Sequence, residues 1–307
     1  MIPALRRRPG TASTAFLPLA AIVLALAATE ARAAASVIDD AGLTVALSRP
    51  AQRIVVLAPH ITEQLFAIGA GERVVGTTEY ADHPDAASRI PRVARAHSVD
   101  LEAVAAARPH LIVVWGSGFP PAVVDALRRL RVPVYVNEPG ALDSIATSLE
   151  RLGTLTGNGA AGAVEAQRFR QRIDALRGRY AQRAPVRVFY QVWPQPLMTL
   201  SGRHVVSEAI QLCGGRNVFE SLAPIAPQVS AEAVIAADPQ LIAGAEPDAK
   251  PSGALDDWRR FTGISAVRLN QFATLDANKI NRHAPRMAEE IGVLCERIDA
   301  ARHALAR

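Results

Sequence analysis

Short apolar runs that stop at turn residues alternate with helix-patterned stretches along most of the chain, and this alternation constrains the fold most. The runs RIVVLAP (53–59), RVVGTT (73–78), LIVVWG (111–116) and VPVYVN (132–137) read as strands. Between and after them, TEQLFAIGAG (62–71), DLEAVAAA (100–107), AVVDALRRL (122–130) and LDSIATSLERLGTL (142–155) carry the helical period. Strand–helix alternation of this kind implies a parallel sheet with helices on its faces, an α/β fold.

A helical stretch from 160 to 182, charged on one side, then separates this half from a second. After Pro185 the alternation resumes with VRVFYQV (186–192), VVSEAIQLC (205–213), VSAEAVIAA (229–237), LIAGA (241–245), a helix over ALDDWRRF (254–261) and a final helix from about Pro285. The expectation is an α/β lobe at 50–155, a linking helix at 156–184 and a second α/β lobe at 185–307. An internal repeat supports the cut. VDLEAVAAARPHLI from Val99 and VSAEAVIAADPQLI from Val229 share nine of fourteen residues at an offset of 130. Asp100 and Ser230 are placed to cap the two helices, which puts Glu102 and Glu232 in equivalent first turns, favoured by the helix dipole.

The first 33 residues have a different character. Arg6, Arg7 and Arg8 precede the 13-residue apolar run FLPLAAIVLALAA (16–28), and Ala31-Arg32-Ala33 is a small-x-small cleavage site. This is the pattern of an export signal; the run is shorter than the roughly 20 residues a membrane-spanning helix needs. The expectation is an exported protein, outside the cytoplasm and cleaved near Ala33. Removing residues 1–33 leaves 30 basic and 28 acidic side chains of the full 34 and 29, so the basic balance is largely the signal's and nucleic-acid binding is not expected. Cys213 and Cys295 are the only cysteines, each on an apolar helical pattern, and in an oxidising compartment they read as a structural disulfide.

No phosphate-binding loop, nucleophile elbow or zinc motif occurs, and six histidines between His60 and His283 show no ligand spacing, so neither catalysis nor a resident metal is expected. What recurs is an apolar strand ending in large or polar side chains. RIVVLAP ends at Pro59-His60, VVGTT leads to Tyr80, LIVVW ends at Trp115 before Gly-Ser-Gly, and VFYQV leads to Trp193. Carboxyl ends of parallel strands are where ligands bind, and flat aromatic faces suit a large planar ring system.

Those strand-end residues sit in longer segments: RIVVLAPHITEQLFAIGAGERVVGTTEYADHP (53–84), DLEAVAAARPHLIVVW (100–115), SGRHVVSEAIQLCGGRNVF (201–219), PQVSAEAVIAADPQLI (227–242) and NRHAPRM (281–287). Through them the chain resembles the class III periplasmic substrate-binding proteins of ABC importers, and among these the cobalamin-binding members. The resemblance implies two Rossmann-like lobes joined by a single long helix. It implies a monomeric receptor that takes a metal-chelate ligand, cobalamin or a related corrinoid, in the cleft and delivers it to a permease dimer. It places Pro59 and His60 at the ligand edge, Tyr80 on the corrin face, Trp115 in the pocket, Trp193 one residue beyond an aromatic position, and Arg282 on ligand side groups. Cys213 and Cys295 match a disulfide of the cobalamin binders. Glu102 and Glu232 match the two glutamates offered, one per lobe, to arginines of the permease, where a two-fold partner suits one carboxylate on each lobe. Alternatives are a receptor for haem or a ferric siderophore, a metal-ion receptor using His60, His83, His97 or His204, and an extracytoplasmic enzyme, for which no nucleophile–base pair is visible.

Overall fold

The computed structural model describes residues 35–95, 98–250 and 252–306. The export signal expected at 1–33 and His97 therefore lie outside the described residues. An antiparallel hairpin, β1 (Ala35–Ile38) and β2 (Thr44–Leu47), leads into the first sheet. That sheet holds β3 (Ile54–Leu57), β4 (Val74–Thr78), β5 (Arg92–Arg95), β6 (Ser98–Val99), β7 (Leu111–Trp115) and β8 (Val134–Asn137). Its order is β6-β5-β4-β3-β7-β8, parallel throughout except for the β5–β6 pair at the edge. The central strands read IVVL and LIVVW because helices cover both their faces: every residue of β3 is buried, as are the first four of β7. The helices are α1 (Pro59–Ala67), α2 (Leu101–Ala106), α3 (Pro121–Arg129) and α4 (Leu142–Thr156).

One helix, α5 (Gly159–Tyr180), joins this half to the next. It buries only Gly162, Ala166, Phe169, Ile173 and Tyr180, a single stripe at helical spacing, which accounts for its polar sequence. It folds back on α4 through Gly157, whose φ of +75° ends α4 in the left-handed conformation. The two helices touch backbone to backbone: a Cβ on Gly162 would lie 2.6 Å from the Leu149 carbonyl oxygen.

The second sheet is all parallel, in the order β12-β9-β13-β14, from β9 (Val186–Gln191), β12 (Gly215–Asn217), β13 (Leu241–Glu246) and β14 (Phe272–Asp276). A two-stranded ribbon, β10 (Trp193–Pro194) with β11 (Leu197–Met198), follows β9. Helices α6 (Val205–Leu212), α7 (Ala231–Ala237), α8 (Ser265–Arg268), α9 (Ala277–Ile280) and α10 (Met287–Leu305) complete this half. Cys213, the cap residue of α6, is bonded to Cys295 in α10, with both residues fully buried and Cα atoms 4.6 Å apart. The expected α/β class, with two sheets and one connecting helix, is the one observed.

Local expectations differ at several points. The helix expected at 254–261 is a 3-10 turn over Asp256–Arg260; it serves to seat Trp258 against Phe189, with ring centroids 5.3 Å apart. Helix α1 begins at Pro59 rather than 62, since proline is favoured in a first turn. Strands β12 and β14 were not expected, because GRN has no apolar run and FATLD is short and alternating.

Candidate functional site

Each parallel strand of the first sheet delivers its last residues to the same edge. Beyond β3, Ala58 is the N-cap of α1 and Pro59 its first residue. Beyond β4, Tyr80 adopts φ +62°, a left-handed conformation costly for a side-chain-bearing residue. Beyond β7, Trp115 enters the Gly116-Ser117-Gly118 turn. These ends enclose a cavity of about 150 Å3 lined by Leu57, Pro59, Tyr80, Arg95, Trp115 and Phe119, among others. Tyr80 is left 71% exposed. His60 lies one step further back: it is 4% exposed and meets Trp115 edge-on with ring centroids 5.5 Å apart.

Trp193 occupies the corresponding place in the second half. It stands 59% exposed beyond β9 and lines a separate cavity of about 220 Å3 with Gln191, Pro194, Gly244, Glu246 and Leu255. Gln191, Gly244 and Glu246 belong to the carboxyl ends of β9 and β13, Pro194 to the ribbon strand β10, and Leu255 caps the 3-10 turn over Asp256–Arg260. Among the described residues, Tyr80 and Trp193 are the only exposed tyrosine, tryptophan or phenylalanine side chains of the chain. Each lies beyond the carboxyl end of one sheet.

The two halves meet around buried polar groups. Glu63 of α1, with a side chain only 3% exposed, accepts from Arg282 Nη1 at 2.8 Å and from Arg286 at 2.7 Å and 3.0 Å. Arg282 Nη1 also donates to Asp82 Oδ1 at 2.7 Å, and Nη2 donates to the Tyr80 carbonyl at 3.0 Å and to Asn278 Oδ1 at 3.3 Å. Burial alone would lower the Arg282 pKa, but the bonds to Asp82 and Glu63 outweigh it and raise it. Both terminal nitrogens of Arg282 are thus engaged by protein groups; through the Tyr80 carbonyl it holds the pocket loop from the opposite half.

His60, His204 and His283 converge beside this network. His283 lies 5.4 Å from His60, 6.3 Å from Trp115 and 6.5 Å from His204 between ring centroids. Burial holds His60 and His204 down to about 4, and burial together with the two neighbouring imidazoles holds His283 down to about 3. All three are therefore neutral at pH 7 and add no charge to a seam that already holds the Glu63, Arg282 and Arg286 ion pairs. Two of their nitrogens are bonded: His60 Nε2 to Asn137 Oδ1 at 3.0 Å, and His204 Nδ1, which caps α6 by accepting from Val206 N at 3.1 Å; the buried His283 Nδ1 has no hydrogen-bond partner among the described residues. Among the described residues no group of three or more His, Cys, Asp or Glu side chains is arranged to hold a metal ion.

Glu102 and Glu232 occupy matching frames. Asp100 accepts from Ala103 N at 2.9 Å and Ser230 from Ala233 N at 3.2 Å, so each helix starts with the same cap. Val104 and Val234 are both fully buried, while both glutamates are exposed. The following loops repeat as well: His110 N donates to Arg53 O, and Gln240 N to Arg187 O, each at 2.8 Å. Arg53 Nε reaches Ala107 O at 3.0 Å, as Arg187 Nε reaches Asp238 O at 2.9 Å. A bond to its own backbone and one to Ser230 lower the Glu232 pKa, keeping it ionised.

Of the site residues expected from the sequence, Pro59, Tyr80 and Trp115 line one cavity, His60 backs it, Trp193 lines another, and Arg282, marked by resemblance alone, sits in the seam. Sequence reasoning missed Glu63, Asp82, Arg286, His204 and His283 as seam groups, and Glu138, which contacts Trp115. Glu138 follows β8, so the strand-end rule that found Trp115 would have found it.

The sequence profile described as periplasmic binding protein matches residues 54–279. A vitamin B12-binding protein of Vibrio cholerae is 38% identical over 247 residues, 80% of this chain and 88% of that protein. One from Vibrio parahaemolyticus is 32% identical over 260 residues, 85% of this chain and 94% of its own length. The crystal structure of the periplasmic vitamin B12-binding protein of Vibrio cholerae superposes with a TM-score of 0.77 at 37% identity, covering 82% of this chain and 98% of that one. The chain belongs to the periplasmic binding protein family.

Proposed function

We propose that this protein captures cobalamin or a related corrinoid between its two halves and delivers it to the permease dimer of an ABC importer, acting as a periplasmic monomer without catalysis. The observation that carries this reading is the pair of exposed aromatic side chains, Tyr80 and Trp193, one beyond the carboxyl end of each sheet. Large exposed aromatics rimming a cleft mark a ligand surface, and broad flat rings match a broad flat ligand. The vitamin B12-binding relatives, similar over most of both chains, support the same ligand.

On this reading Pro59, Tyr80, Trp115 and Trp193 touch the ligand. His60 supports Trp115 from behind. Arg282 acts through the Tyr80 carbonyl, with its Nε–H left to reach a ligand side group. The lobes span 50–155 and 185–307 around a link at 156–184, supported by the separate sheets and by α5 between them. Glu102 and Glu232, in matching caps on opposite halves, meet arginines of the two permease subunits.

The test is selective loading. The protein lacking residues 1–33 is incubated separately with cyanocobalamin, haem and a ferric siderophore, desalted, and its visible spectrum recorded. Retention of the corrin bands at one equivalent, with neither of the others, is expected. Retention of haem or the siderophore instead would overturn the ligand assignment.

A further inference from the structure

We propose that Glu138 is a positioning residue for the ligand pocket, setting the plane of the Trp115 indole; this rests on the reading of Trp115 as a ligand contact. The turn after β7 is Gly116-Ser117-Gly118, which has little intrinsic rigidity. Glu138, immediately after β8, supplies the order. Its Oε1 accepts from Trp115 Nε1 at 3.3 Å and from Ser117 Oγ at 3.0 Å, and its Oε2 accepts from Ser117 N at 2.5 Å. One carboxylate thus binds both the ring and the turn that carries it.

The glycines are part of the arrangement. A Cβ on Gly116 would lie 2.9 Å from Glu138 Oε2, and one on Gly118 would lie 2.7 Å from the Trp115 ring. Both positions leave the space in which indole and carboxylate meet. Glu138 is itself held in place: its backbone N–H donates to Asp40 Oδ2 at 2.7 Å, and Asp40 Oδ1 pairs with Arg151 of α4 at 2.5 Å. His60 meets the indole in a T-shaped contact, with ring centroids 5.5 Å apart and an interplanar angle of 89°. A tryptophan has two side-chain torsions. The His60 contact limits the tilt of the ring, and the bond to Glu138 selects which edge faces the turn. A ligand then meets an indole already oriented, which avoids an ordering cost on binding.

The experiment uses Glu138→Ala and Glu138→Gln in the protein lacking residues 1–33. In 15N-labelled protein the three tryptophans give three indole N–H signals, and Trp115→Phe identifies the one from Trp115. In ligand-free protein, Glu138→Ala is expected to shift or broaden that signal while leaving those of Trp193 and Trp258 in place. Glu138→Gln, which keeps one acceptor oxygen, is expected to restore it in part. Cyanocobalamin affinity should fall roughly tenfold in the alanine variant, the loss of one charge-assisted bond, and less in the glutamine variant. An unmoved Trp115 signal in either folded variant overturns the proposal, and so does unchanged affinity with a moved signal. Should Glu138→Ala not fold, Glu138→Gln decides alone by the same two readouts. Because the indole signal is read without ligand, a wild-type protein that binds no corrinoid would refute the proposed function and leave the orientation of Trp115 by Glu138 still measurable.

Discussion

Replacing Glu63 by Gln should be among the most damaging single changes the fold can suffer outside its apolar core. Glu63 keeps its volume in this change but loses its charge, and Arg282 and Arg286 remain. Their side chains are 11% and 23% exposed against 3% for Glu63, so water cannot readily replace the lost partner. At 2.8 Å and an effective dielectric constant near 20, the Glu63–Arg282 attraction is about 6 kcal/mol before desolvation is counted. Desolvation offsets much of that in the intact pair. Once one member is neutralised the cost remains without the gain, and breaking such a pair costs about 3–5 kcal/mol. At about 2–4 °C per kcal/mol, the thermal midpoint should drop by roughly 10 °C. Glu165→Gln is the control: its partner Arg168 is 66% exposed at 3.4 Å, and the loss should stay below about 0.5 kcal/mol. Differential scanning calorimetry of both variants at low and high salt decides the matter, since a buried pair is little screened. A Glu63→Gln midpoint within 2 °C of wild type, or a loss that vanishes in high salt, would refute the reasoning.

Three further outcomes are expected. Reducing the Cys213–Cys295 bond, which closes a separation of 82 residues, should lower stability by about 4.5 kcal/mol in the chain-entropy account; equal unfolding midpoints with and without reductant would contradict this. Stability should fall with acid: unfolded histidines gain protons below about pH 6.5, whereas His60 and His204 resist to about 4 and His283 to about 3. Denaturant titrations at pH 7 and pH 5 should therefore differ by about 2 kcal/mol per histidine, and His204→Asn, which keeps a cap acceptor on Val206 N, should shrink the difference. Glu102→Ala/Glu232→Ala should bind ligand as wild type does and fail in an uptake assay in cells lacking their own receptor; normal uptake would leave both residues as solvated helix-start acids with no docking role, and lost ligand binding would put them in the pocket.

The parts of the molecule legible in the sequence are those whose residue types are dictated by local geometry. Strands buried on both faces must be continuous apolar runs, so β3, β7 and β9 stand out, and the residues at or just beyond their ends, Pro59, Trp115 and Trp193, follow. The cap-and-valine unit around Glu102 recurs around Glu232 because the same packing is built twice. The seam was not legible. His60 through Leu65 are all buried, so α1 has no polar face to mark Glu63 as special. Its partners lie 219 and 223 residues away, and no local pattern predicts that meeting. Edge strands such as β12 took their conformation from the β9 ladder, not from propensity. Arg282 was marked by its segment, but only the structure shows that Glu63, Asp82 and the Tyr80 carbonyl hold its guanidinium.

The most direct test of the central claim is a calorimetric titration of the protein lacking residues 1–33 with cyanocobalamin. The account predicts saturable one-to-one binding with a dissociation constant below about 1 μM, corresponding to roughly −8 kcal/mol. It also predicts a weakening of about 30-fold in Trp115→Ala, the loss of one large aromatic contact. Absence of saturable heat with wild type, or identical isotherms for wild type and folded Trp115→Ala, would contradict it.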